Sequence, residues 1–128
     1  MRDFLQLVGQ ALAEQCPKGV DGALLYAEVE DGVISSSVFF TAAPSVLVFR
    51  YASDELEDLV YEFWENGQDG VQPKSWAAIE YQLTGLKLDV GFGYPDQFCK
   101  DEGQHERRPR VLARRFPGFA VDFSNPGE

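Results

Sequence analysis

Gly22-Ala23-Leu24-Leu25-Tyr26-Ala27-Glu28-Val29-Glu30-Asp31-Gly32-Val33-Ile34-Ser35-Ser36-Ser37-Val38-Phe39-Phe40-Thr41 is the stretch on which the fold turns. Two runs rich in aliphatic and aromatic residues flank Asp31-Gly32. That dipeptide suits a two-residue turn whose central positions both need positive φ. Such a turn sets Val29 opposite Ile34 and Leu25 opposite Val38, so apolar residues of the two runs share a face. The pattern predicts an antiparallel hairpin over 22–30 and 33–41.

Upstream, Phe4, Leu5, Val8, Ala11 and Leu12 recur at helical spacing, and Pro17 and Gly19 close that helix. Downstream, 46–51 reads as a third strand, rich in Val and aromatics. Ser53 is placed to cap a helix that begins with Asp54 and Glu55, where the helix dipole favours negative charge. Leu56, Leu59, Val60, Phe63 and Trp64 form its apolar stripe, and Asn66-Gly67 supplies a stop.

Two further strands are expected over 76–83 and 86–94. In the second, Leu86, Leu88, Val90, Phe92 and Tyr94 alternate with small or charged residues. A turn at Thr84-Gly85 pairs Leu83 with Leu86, Tyr81 with Leu88 and Ile79 with Val90, although Thr is poorly suited to positive φ. A polar loop covers 95–104. Pro109 suits the first turn of a short helix carrying Val111, Leu112 and Phe116, which Pro117-Gly118 ends. Residues 119–123 add an edge strand, and 124–128 are expected to fray. The order α-β-β-β-α-β-β-α predicts one α+β domain over 1–128. Its antiparallel sheet has about five strands, covered by helices on one face.

At 128 residues, with 45% hydrophobic residues, the chain is large enough to bury a core without staples. Two cysteines, Cys16 and Cys99, allow at most one disulfide, and without a secretory signal the reduced state is the expectation. No signal-peptide pattern opens the chain and no apolar run reaches the roughly 20 residues of a bilayer span, so the expected location is cytoplasmic, away from membrane. The net charge is −10 and unevenly spread. Arg107, Arg108, Arg110, Arg114 and Arg115 stand in the C-terminal part, while the acids dominate everything before it. Such acidity disfavours nucleic-acid backbones and anionic lipid and favours encounter with basic proteins.

Catalytic patterns are missing. His105 is the sole histidine and lies in a charged segment, so neither a Ser-His-Asp nor a Cys-His arrangement is indicated. No Cys/His spacing fits zinc, and Gly91-Phe92-Gly93 lacks the third glycine and following helix of a nucleotide fingerprint. Neither metal nor cofactor is expected, and the chain reads as a non-enzyme. A small hydrolase using clustered carboxylates, with or without metal, is the alternative; it would need a pocket that separates two acid pKa values.

Binding features are present instead. On the second helix, Asp54, Asp58, Tyr61, Glu62 and Glu65 lie opposite the apolar stripe, with Glu55 and Glu57 on its flanks. No Lys or Arg occurs between Tyr51 and Pro73, so no i,i+4 partner balances these acids. A solvated face and a docking face for a basic partner are both compatible with that pattern. The candidate partner-binding set is Asp54, Glu57, Asp58, Tyr61, Glu62 and Glu65. The arginine cluster lacks interleaved stacking aromatics, which argues against nucleic acid, and one or two of its members are expected to pair with acids across the fold.

Several segments resemble, in order, the YezG-like family of bacterial immunity proteins. They are Tyr26-Ala27-Glu28-Val29, Ser37-Val38-Phe39-Phe40, Glu65-Asn66-Gly67-Gln68, the Trp-led run 74–83, the run 88–96 ending in Tyr94-Pro95-Asp96, and Glu106-Arg107-Arg108. The likeness spans about residues 22 to 117. The joint between the last two strands and the stretch before the acidic helix are short for the family, which points to a different partner. The resemblance implies a cytosolic inhibitor that binds and neutralises a cognate toxin domain, a nuclease being the leading guess from the acidity. It marks Trp76, Tyr94, Asp96, Glu106, Arg107 and Arg108 as motif residues, either structural or in contact with toxin.

Overall fold

The computed structural model describes residues 4–30, 33–68, 76–85, 87–94 and 104–122. Helix α1 (Phe4–Gln15) leads into strands β1 (Gly22–Glu30), β2 (Val33–Ala43) and β3 (Val46–Tyr51). Helix α2 (Asp54–Gln68), strands β4 (Ala78–Thr84) and β5 (Lys87–Gly93), helix α3 (Gln104–Arg115) and strand β6 (Ala120–Asp122) follow. The α+β fold is built on one six-stranded sheet in the order β5-β4-β1-β2-β3-β6. Every pairing is antiparallel except β3 with β6.

Strand β1 is central and explains the layering. Its odd positions, Ala23, Leu25, Ala27 and Val29, join Val38, Phe40, Ile79 and Tyr81 in a core closed by α1 and α2. Its even positions Leu24 and Tyr26 join Phe39, Leu47 and Ala78 in a second core closed by Val111, Leu112 and Phe116 of α3. The expectation of helices on one face is therefore corrected: α1 and α2 cover one face and α3 the other. The reason is parity. Leu24, Tyr26 and Phe39 lie on the row opposite the first core, and so many large side chains need cover of their own.

The first hairpin has the expected register, with Leu25 opposite Val38 and Val29 opposite Ile34; the turn residues themselves lie outside the described ones. The second differs. Leu83 pairs with Leu88, Tyr81 with Val90 and Ile79 with Phe92, each two residues on from the expected partner. Thr84 pairs with Lys87, which leaves Gly85 in the turn at φ +61. Glycine takes the left-handed position that Thr resists. An even shift keeps every side chain on its face.

Ser53 caps α2, its Oγ accepting the Leu56 N–H at 3.2 Å. The helix then runs through Asn66-Gly67 to Gln68, past the expected stop. Helix α3 starts at Gln104, so Pro109 sits inside it and not in its first turn. One backbone hydrogen bond is lost there, but Arg107 and Arg108 anchor the turn just before the ring. Strand β6 is the expected edge strand, held by the Ala120 N–H to the Ser45 carbonyl at 2.8 Å. No described helix is long and apolar enough to cross a membrane.

Two contacts seat α1. Tyr81 donates its hydroxyl to the Leu5 carbonyl, and Gly9 lets that ring approach, since a Cβ there would lie 2.5 Å from Tyr81 Oη. At the other end Gln15 donates to the Tyr51 carbonyl at 2.7 Å and accepts the Ser53 N–H at 2.8 Å. The helix is thereby tied to the start of α2.

Candidate functional site

Helices α1 and α2 lie side by side over the sheet. Between them runs a groove of about 520 Å³ with Leu7, Ala11 and Leu59 as its floor and Glu14, Glu55, Asp58 and Glu62 along its rim. One acid in α1 and six in α2 give this layer seven carboxylates, and neither helix contains Lys or Arg. Like charges at such spacing destabilise a helix slightly, by a few tenths of a kcal/mol per close pair. Apolar anchoring through Leu56, Leu59 and Val60 more than offsets that cost.

The candidate partner-binding residues do not all meet in this groove. Asp58 and Glu62 do, joined by Glu55 and by Glu14 from α1. Asp54 is exposed at the first turn and Glu65 is exposed a helical turn beyond Tyr61. Glu57 is half-buried and accepts a hydrogen bond from Ser36 Oγ on β2, so it is turned to the sheet. Tyr61 is half-buried with its ring tilted against Trp64 at 5.7 Å.

The described motif residues lie elsewhere in the fold. Trp76 is 2% exposed and lies 5.8 Å from the Phe63 ring and 5.6 Å from that of Phe92. Its carbonyl accepts the Trp64 indole N–H at 2.8 Å, while its own Nε1 is buried without a partner among the described residues. Trp76 is core. Tyr94 packs, partly buried, against the same core, and Asp96 lies outside the described residues. Glu106 is exposed at the start of α3.

Arg107 and Arg108 grip the sheet. Arg107 is buried and donates from Nε to Glu28 Oε2 at 2.8 Å and from Nη2 to Oε1 at 2.5 Å. Tyr26 donates its hydroxyl to the same carboxylate. Hydrogen bonding to Glu28 holds the guanidinium pKa further above its already high ordinary value. Burial, reinforced by the neighbouring Glu28 carboxylate, pushes the Tyr26 phenol up. Arg108 donates to Ser37 Oγ at 3.1 Å and stands 5.2 Å from the Phe49 ring centre. At the far end of α3, Arg114 and Arg115 donate to the two oxygens of Glu80 at 2.7 and 2.6 Å. Burial pushes the Glu80 carboxyl up, but these two hydrogen bonds and charges outweigh it and hold it below the ordinary range.

Arg107, Arg114 and Arg115 thus pair with acids across the fold, and the stretches 26–29 and 106–108 meet at Glu28 and Arg107. Sequence reasoning missed both acid partners. Their signal was position: Glu28 continues the row of Leu24 and Tyr26, and a carboxylate in a buried row needs a partner. Glu14 carried no such signal, because only the packing of α1 on α2 brings it to the groove. Among the described residues, no group of three or more His, Cys, Asp or Glu side chains is arranged to hold a metal ion. No protein-family model matches the chain, and no curated protein matches it either.

Proposed function

We propose that the chain is a cytosolic immunity protein, a stoichiometric inhibitor that binds and neutralises one cognate toxin domain without chemistry of its own. A basic nuclease domain is the preferred target. The observation that carries this reading is the α1–α2 groove, apolar at its floor, acidic at its rim and without a basic residue in either helix. A domain built to hold phosphate backbones presents Lys and Arg. Their aliphatic stems fit an apolar floor while their charged ends meet the rim. The summed negative field speeds encounter with such a partner. The ordered resemblance to YezG-like proteins supports the same class.

Coexpression with the protein encoded by the neighbouring toxin gene should rescue growth and give a one-to-one complex. Absence of both rescue and copurification refutes the function. Charge reversal at Asp58→Lys, Glu62→Lys and Glu65→Lys addresses the docking face. All three point away from the core, so circular dichroism and the thermal midpoint should stay close to wild type. Affinity should fall by about 2–5 kcal/mol for each charge pair that becomes buried and by under about 1 kcal/mol for each at the rim. A folded triple variant that inhibits like wild type refutes this face as the docking surface. A specific divalent-metal site of micromolar affinity would instead favour the hydrolase alternative.

A further inference from the structure

On the opposite face of the sheet, a second pocket of about 420 Å³ opens between α3 and the β4–β5 end. Its space has a simple origin. The sheet positions beneath α3 there are Ala78, Gly91 and Gly93, with Gly93 paired to Ala78 and Gly91 to Glu80. No side chain larger than a methyl rises from these three. The fit at Gly91 is close, since a Cβ there would lie 3.1 Å from Arg115 Nη2.

The walls are cationic. Arg107, Arg110, Arg114 and Arg115 line the pocket; Arg107 is paired with Glu28, Arg114 and Arg115 share Glu80, and Arg115 Nη1 lies 3.7 Å from Asp89, so four guanidiniums face three carboxylates here. At its base Arg107 and Tyr26 are buried and fixed by Glu28, so that part is preorganised. At its mouth Arg110 and Arg114 are exposed. Four guanidiniums converging from one helix onto a glycine floor are unusual in a chain of net charge −10. Planar guanidinium forks match the oxygens of phosphate and carboxylate groups. A tetrahedral phosphate presents acceptors in several directions and so suits donors that approach from different sides; a planar carboxylate engages fewer of them. The volume falls within the range of roughly 300–1,000 Å³ typical of small-ligand sites.

We propose that this pocket binds a small multivalent oxyanion of the phosphate class, either free diphosphate or a phosphorylated small molecule. Helices α1 and α2 take no part, so the site stands or falls independently of toxin docking. Calorimetric titration of the full chain at low salt with inorganic pyrophosphate, with ADP and with citrate tests it, alongside amide chemical shifts. Saturable pyrophosphate binding is expected at a dissociation constant below about 1 mM, with shifts at Gly91, Gly93 and along α3. Tighter binding of ADP would identify a phosphorylated molecule as the ligand, and tighter pyrophosphate binding the free anion. The double variant Arg110→Gln/Arg114→Gln leaves Arg107 and Arg115 in place and should bind at least about tenfold more weakly. Lys18→Gln/Lys87→Gln removes the same charge elsewhere and should bind like wild type. Failure of wild type to saturate by roughly 10 mM pyrophosphate, equal weakening in the lysine control, or equal affinity for citrate overturns the proposal.

Discussion

Arg107→Ala separates the two roles open to the Glu-Arg-Arg segment. Glu28 is 6% exposed and receives hydrogen bonds from Arg107 Nε, Arg107 Nη2 and the Tyr26 hydroxyl. Removing Arg107 takes two of those three donors and the only charge of opposite sign among them. A carboxylate is then left inside the protein with one neutral donor. Breaking a buried pair in this way costs about 3–5 kcal/mol, a large share of the roughly 5–15 kcal/mol that holds a domain together. At a urea slope of about 2 kcal/mol/M, the unfolding midpoint should fall by about 2 M. Adding Glu28→Gln to the same chain removes the stranded charge and should recover part of the loss. The double-mutant cycle should give a coupling of at least about 2 kcal/mol. A loss below about 1 kcal/mol for Arg107→Ala would refute the reasoning. In that case Val111, Leu112 and Phe116, with Arg108 on Ser37 and Arg114 and Arg115 on Glu80, would suffice to hold α3.

Gly9→Ala should destabilise by about 1–3 kcal/mol through overpacking against Tyr81 Oη, despite the better helix propensity of Ala; urea unfolding measures it. Ser45 holds φ +64 in the turn between β2 and β3, so Ser45→Gly should stabilise by about 0.5 kcal/mol after the entropy cost of glycine, read by the same assay. Glu80 has a folded pKa below its unfolded value, so its contribution is complete above about pH 4.3 and is lost as pH falls through the folded pKa. Glu80→Gln should therefore lower stability at neutral pH and flatten the acid limb of the stability profile, measured as urea midpoints between about pH 3 and pH 7.

Local chemistry made part of the fold legible. The spacing of the two runs about Asp31-Gly32 pointed to the first register, and Ser53 to the start of α2, because each signal acts within a few residues. The second register was harder, since Thr84, Gly85 and Leu86 offer two adjacent two-residue turns and the backbone takes the one with Gly85 at positive φ. Helix α3 was misread twice. Pro109 imitates a helix start, and Glu28 disguised the row of Leu24 and Tyr26 as a solvent-facing one. The acidic face was readable from Asp54, Asp58, Glu62 and Glu65 alone, because helical spacing is local. Its completion by Glu14, and the capture of Arg107 and Arg115 by Glu28 and Glu80, depend on strands and helices far apart in sequence. No window of a few residues contains them.

The sheet separates charge as well as cores. Among the described residues, seven carboxylates lie in the α1–α2 layer, while α3 on the reverse side sets five arginines against Glu28, Glu80, Asp89 and Glu106. Among the described residues, charge is therefore separated across the layers. A cationic body approaching from any side exerts a torque that turns the two-helix layer toward it before contact is made. An anionic body exerts the opposite torque and meets α3. Orientation during approach is set by where the polypeptide crosses from one layer to the other, and substitutions that leave net charge unchanged but move charge across the sheet would alter it.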